Sequence, residues 1–105
     1  MRALHPFDPD DYALLEAINR GEFALHGLRN RDLQLLLYPK PPANAAEKRR
    51  RSAAVSRKLR LLRAHGLLHK LPHTHRYRVS PRGRLTLNVI LSAQRMTAQQ
   101  LTAAA

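Results

Sequence analysis

The chain of 105 residues contains no cysteine, no tryptophan, only five aromatic residues and, after Glu47, not one acidic side chain in the remaining 58 positions. Each absence excludes something. Without cysteine there can be no disulfide framework, thiolate metal site, thiol redox switch or cysteine nucleophile. No apolar run approaches the roughly 18 residues of a membrane span, and the N-terminus MRALHPFDPDDY lacks the apolar stretch of a signal peptide. The expectation is therefore a soluble, cytoplasmic (nucleoid-associated) protein with no membrane partner. The seven acidic residues all lie between Asp8 and Glu47, and the triplet Asp8, Asp10, Asp11 reads as helix capping, since the macrodipole already favours anions there. That leaves no carboxylate set for two-metal nuclease chemistry, and neither a glycine-rich phosphate loop nor a Ser/His/Asp arrangement is present. We expect no enzyme and no cofactor.

What is present suits one small domain with one core. The residues are 44% hydrophobic and 25% charged, rich in Leu and Ala, a composition that builds aliphatic stripes on helices rather than strands. The predicted fold class is mainly α with a small β-hairpin (α+β), divided into an N-terminal arm at residues 1–9, a domain at 10–96 and a C-terminal tail at 97–105.

Along the chain, DPDDYALLEAINRG predicts a first helix, capped by Asp8 or Asp10, with Leu14, Leu15 and Ile18 at helical spacing and Gly21 as its stop. EFALHG, between two glycines, predicts a brief strand or extended link. LRNRDLQLLLYP predicts a short second helix capped by Asn30, with Leu33, Leu36 and Leu37 on one face and Pro39 ending it. YPKPPAN is a rigid, proline-rich connection. A third helix is predicted over residues 44–65, stopped by Gly66. The pattern then changes to period two: Leu68 onward and RYRV form a hairpin with PHTH at its tip, Tyr77 and Val79 inward, Arg76 and Arg78 outward. Ser80-Pro81 matches a cap followed by proline at the first helical position and starts the fourth helix.

Charge is concentrated in the middle of the chain. The formal net charge is +12, of which residues 39–84 carry +13 and residues 1–38 carry −2. A field so placed calls for a polyanionic partner. Within the third helix, Leu59 and Leu62 fall within roughly 40° of Val55, which defines a core stripe. Arg49, Arg60, Ala53, Arg57 and Arg50 occupy the opposite arc, from roughly 120° to 220°. A solvated helix usually mixes signs at i,i+3 and i,i+4, and beyond Glu47 this one cannot. Small Ala53, with Ser56 at the edge of the arc, lets the helix backbone come close to whatever the arginines hold.

The order of elements, with SAAVSRKLRLLRAHGLL followed by RYRVSPRGRLTL, closely resembles the winged helix-turn-helix of MarR- and ArsR-type bacterial transcriptional regulators over roughly Asp10 to Leu91. In those families a serine-rich start and V-S-R-x-L-x-x-L form the recognition helix, G-L closes it, and the second wing strand runs into S/T-P-x-G. The resemblance implies double-stranded DNA as partner. It puts Ser52, Ser56, Arg57 and Arg60 at the DNA face, beside the Arg49, Arg50 and Ala53 of the computed arc, and His69, Lys70, His73, His75, Arg76 and Arg78 in the wing. The link YPKPPANAAEKRRR is longer than the family's tight turn, and the cysteine ligands of ArsR-type sensors are missing. An apolar surplus on the fourth helix, Leu85 to Leu91, suits a homodimer.

Rival readings are a DNA-targeting domain of a transposase- or recombinase-type protein, a winged-helix module for RNA or protein, and a metal site at His73-Thr74-His75. The metal reading lacks both an HExxH motif and a neighbouring carboxylate.

Overall fold

Asp8 begins the first helix as the spacing of its acids requires. Its carboxylate accepts the Asp10 N–H at 2.9 Å, and Pro9 occupies the first helical position, where no N–H is needed. The computed structural model describes residues 8–104, with side chains described through residue 97. Most of the predicted arm, residues 1–7, lies outside the described residues.

Five helices and one hairpin follow in order: α1 Pro9–Ile18, α2 Phe23–His26, α3 Asn30–Leu37, α4 Ala45–Ala64, β1 Leu68–Lys70, β2 Tyr77–Val79 and α5 Pro81–Ala104. The architecture is α+β, helical with one small antiparallel hairpin. β1 pairs with β2 in the register Leu68 to Val79, His69 to Arg78 and Lys70 to Tyr77. Residue 28 adds a third row, because Leu28 and Tyr77 exchange both backbone hydrogen bonds, at 2.7 and 2.8 Å.

The core is aliphatic. Leu14, Leu15, Ile18, Leu28, Leu33, Val55, Leu62 and Leu87 are fully buried, drawn from four helices and the residue 28 bridge, and half-buried Phe23, Tyr38 and Tyr77 pack around them. The stripe predicted on α4 is therefore its buried side. Leu61 is buried as well, which widens that side toward the C-terminal end of the helix.

Two expectations require correction. EFALHG does not form a strand: FALH makes one helical turn, and only Leu28, past Gly27, is extended enough to bridge β2. Gly27 is the reason for the break. It sits at φ 74°, and a Cβ there would lie 2.7 Å from the Tyr77 carbonyl oxygen. Asn30 is not the cap of α3; Arg29 holds that position, and its backbone N–H donates to Asp32 Oδ2 at 2.8 Å. α5 runs without a break from Pro81 to Ala104, so residues 97–104 continue that helix.

Two junctions position α4 and the hairpin. At the end of α4 the Leu67 N–H donates to Leu62 O and the Gly66 N–H to Arg63 O, both at 3.0 Å, a Schellman closure with Gly66 at φ 74°. Ser80 then locks α5 against this turn. Its hydroxyl accepts the Gly83 N–H at 2.8 Å and donates to Gly66 O at 2.7 Å, while its backbone N–H donates to Leu67 O at 3.0 Å. Gly83 has to be small here. A Cβ on it would overlap the Leu67 carbonyl oxygen and lie 2.9 Å from Leu67 Cα, backbone that cannot yield without opening the Schellman turn. We expect Gly83→Ala to lower stability by about 1–3 kcal/mol, as overpacking does, and Gly21→Ala, at a site with nothing within 4 Å, to stay within about 0.5 kcal/mol. Urea denaturation of both variants checks this.

Candidate nucleic-acid interface

All five residues of the arc computed for α4, Arg49, Arg50, Ala53, Arg57 and Arg60, are exposed. Burying Val55, Leu59 and Leu62 forces that outcome, because the two sets lie on opposite sides of one helix. Among the described residues none of these four arginines takes part in an ion pair. The face is positive charge around a small residue, compensated only at Arg50, which Glu47 attracts from one turn earlier.

Its neighbour in sequence, Arg51, is used differently. The Arg51 guanidinium donates to Glu47 Oε1 at 2.5 Å and to Lys40 O at 2.7 Å, and it lies over the Tyr38 ring, 4.9 Å from the centroid. Glu47 in turn accepts the Ala43 N–H at 3.0 Å, and Asn44 caps α4 by accepting the Glu47 N–H at 2.8 Å. That backbone hydrogen bond from Ala43, only partly opposed by desolvation, is the main cause holding the Glu47 carboxyl below its usual range, with Arg51 adding to it. The long proline-rich link is thus tied to the first turns of α4.

Ser52 and Ser56 are half-buried and face α3 rather than solvent. The Asn30 amide donates to Ser52 O at 3.0 Å and to Ser56 Oγ at 2.9 Å, and Asn30 Oδ1 accepts from the Gln34 amide at 2.6 Å. Asn30, displaced from its predicted capping role, is the polar bridge between α3 and α4. Beside it the Asp32 carboxyl sits lower than usual. Burial would raise it, but hydrogen bonds from the Arg29 side chain and backbone outweigh that.

On the hairpin, His69, Lys70, His73 and His75 are exposed. His73 turns the tip at φ 59°, and Thr74 closes it by donating to Leu71 O at 2.8 Å and accepting the Arg76 N–H at 3.1 Å. Arg76 and Arg78, expected to point outward, are half-buried and turned back onto α2. Arg78 donates to Leu25 O at 2.8 Å and Arg76 to His26 O at 3.3 Å, which satisfies carbonyls that the single turn of α2 leaves open. No acid lies close in sequence to either arginine, so backbone oxygen takes its place.

Between the start of α3, the flank of α4 and the tip end of the hairpin lies an open groove of about 410 Å³. Arg31 belongs to its lining and is not among the residues predicted from the sequence, where its only signal is the pair of arginines in LRNRD. Among the described residues no three His, Asp or Glu side chains come together as a metal site, and no helix is long and apolar enough to cross a membrane. Comparison of the chain with protein-family models, with curated proteins and with solved structures finds no match.

The half-buried and exposed cations of the hairpin are separable by stability. Arg78→Ala should lower stability by about 1 kcal/mol through loss of the Leu25 carbonyl bond, while Lys70→Ala stays within about 0.5 kcal/mol. Equal urea midpoints for the two variants would contradict the role given to Arg78.

Proposed function

We propose that this chain is a winged helix-turn-helix protein that binds double-stranded DNA, laying α4 in the major groove, and that it serves as a bacterial transcriptional regulator of the MarR/ArsR kind. The observation that carries this reading is the exposed arc of Arg49, Arg50, Ala53, Arg57 and Arg60, without an ion pair among the described residues and directly opposite the buried stripe. A groove about 12 Å wide admits one helix, and phosphates would turn the mutual repulsion of the arginines into attraction. Element order supports the same reading: helix, a single helical turn, bridge at Leu28, two helices, hairpin, helix. Single-stranded RNA is the weaker candidate, since the four described aromatic rings, Tyr12, Phe23, Tyr38 and Tyr77, pack against the core instead of offering stacking surfaces.

In this reading Arg49 and Arg50 hold phosphates, Arg57 and Arg60 reach base edges, and exposed His69, Lys70, His73 and His75 lie along the neighbouring backbone. Ser52 and Ser56 serve first to seat α3. Arg76 and Arg78 act through the hairpin's attachment to α2 rather than as free contacts.

Titration into a fluorescent random duplex and a matched single-stranded RNA across a salt series tests the proposal. A steep salt slope with duplex preference is expected, and salt-insensitive or absent binding to the duplex would overturn it. On a selected site Arg57→Ala should cost about 1–3 kcal/mol and relax specificity, while random DNA is affected less.

The homodimer belongs to the same proposal, through α5. Leu85, Val89 and Met96 are 69%, 63% and 59% exposed and fall within roughly 40° of one another on that helix. Val89→Glu should convert a dimer to a monomer in sedimentation, and a wild-type chain that is monomeric at micromolar concentration would remove this part of the proposal.

A further inference from the structure

The lining of the groove beside α4 mixes the apolar Leu59 and Tyr77 with polar side chains and contains no carboxylate. Its α4 wall includes Ser52 and Ser56, its α3 wall Arg31 and Gln34, and its hairpin wall His75. Asn30 at the floor is committed: both its amide hydrogens go to α4, and its oxygen accepts from Gln34. Those same bonds leave hydrogens on its neighbours. Ser56 Oγ accepts from Asn30 and keeps its own hydrogen to give, and Gln34 spends one of its two amide hydrogens. Arg31 is exposed at the rim and, among the described residues, in no ion pair, whereas Arg29 next to it is spent on Asp32 at 3.2 Å.

The geometry points to this groove as a binding slot for one phosphate ester, with Arg31 and His75 at its mouth and the Ser52, Ser56 and Gln34 donors inside. A concave set of donors is what a phosphate's oxygens require, and the neighbouring acid Asp32, which also attracts Arg31, is bonded to Arg29 and lies outside the lining. The inference rests on the proposed reading of α4 for the source of that phosphate: a backbone phosphodiester of the duplex that α4 grips. The slot shares Ser52 and Ser56 with the flank of that helix, so a phosphate seated in it sets how α4 enters the groove. Arg31 is then a register-setting contact contributed by α3, not by the recognition helix.

The experiment compares wild type, Arg31→Ala, Arg31→Lys and Arg57→Ala on a duplex in which single phosphates are replaced in turn by neutral methylphosphonates. Arg31→Ala should bind all duplex sequences about tenfold more weakly, with a salt slope lower by about one, and Arg31→Lys should recover part of the loss. A methylphosphonate at one position per bound copy should weaken wild type and Arg57→Ala but leave Arg31→Ala unchanged, since that variant no longer holds the group. Thermal melting checks that the exposed substitution leaves the fold intact. If Arg57→Ala weakens duplex binding while Arg31→Ala matches wild type at every phosphate, the slot is refuted and the reading of α4 stands.

If wild type binds no duplex, the reading of α4 has failed, and the slot is judged with adenosine monophosphate and inorganic phosphate followed at the Gln34 side-chain amide by NMR. A saturable shift with either that Arg31→Ala abolishes upholds the phosphate slot with a free source. No shift overturns it.

Discussion

Everything else in this structure depends on α4 being buried along Val55, Leu59 and Leu62. Burying an aliphatic side chain contributes about 1.5–3 kcal/mol, whereas like charges at i,i+3 or i,i+4 cost a few tenths per pair. Core burial therefore decides how the helix is rotated, and the arginines go where that rotation sends them. Asn44 at the start, the Schellman closure at Gly66 and the Asn30 bridge to its flank each hold the same rotation. A helix so held presents its charge as a fixed face rather than a mobile one.

Nineteen Lys and Arg against seven acids make ordinary charge pairing impossible for most of the cations. The molecule divides its arginines instead. Arg51, Arg76, Arg78 and Arg84 reach backbone carbonyls at Lys40, His26, Leu25 and Asn19, and these bonds add polar ties between segments at the edge of the core. Arg84 also holds the Asn19 side chain, which fastens the start of α5 to the end of α1. Arg31, Arg49, Arg50, Arg57 and Arg60 carry none of this structural duty. Net charge of one sign destabilises a compact state through self-repulsion, a cost that the duplex proposed as partner would offset.

The groove between α3 and α4 arises from the same scarcity of acids. Asn30 joins two helices through a neutral amide whose donors and acceptor are all used, which leaves surplus hydrogens on its neighbours. A carboxylate at that position would have consumed those donors. The polar bridge that seats the helix also shapes the slot beside it.

By itself the sequence determined the apolar stripes of the long helices, the start of α1 at Asp8 or Asp10 and of α4 near Asn44, the turns at Gly66 and Ser80-Pro81, the hairpin and the exposed arc of α4. All of these rest on spacings of a few residues or on the fixed 100° advance of a helix, so they are legible without knowing any distant neighbour. Segments of four to six residues gave way: FALH is too short for periodicity to separate a turn of helix from a strand, and Tyr77 across the bridge decides it. Only the tertiary structure decided that Asn30 would abandon its cap for Ser52 and Ser56, that Arg76 and Arg78 would turn inward, and that Arg31 would stand beside His75. The partners concerned lie 22 residues away for Asn30 and Ser52 and 53 for Arg78 and Leu25. A hydrogen bond across such a separation is set by how the core packs, and no local pattern records it.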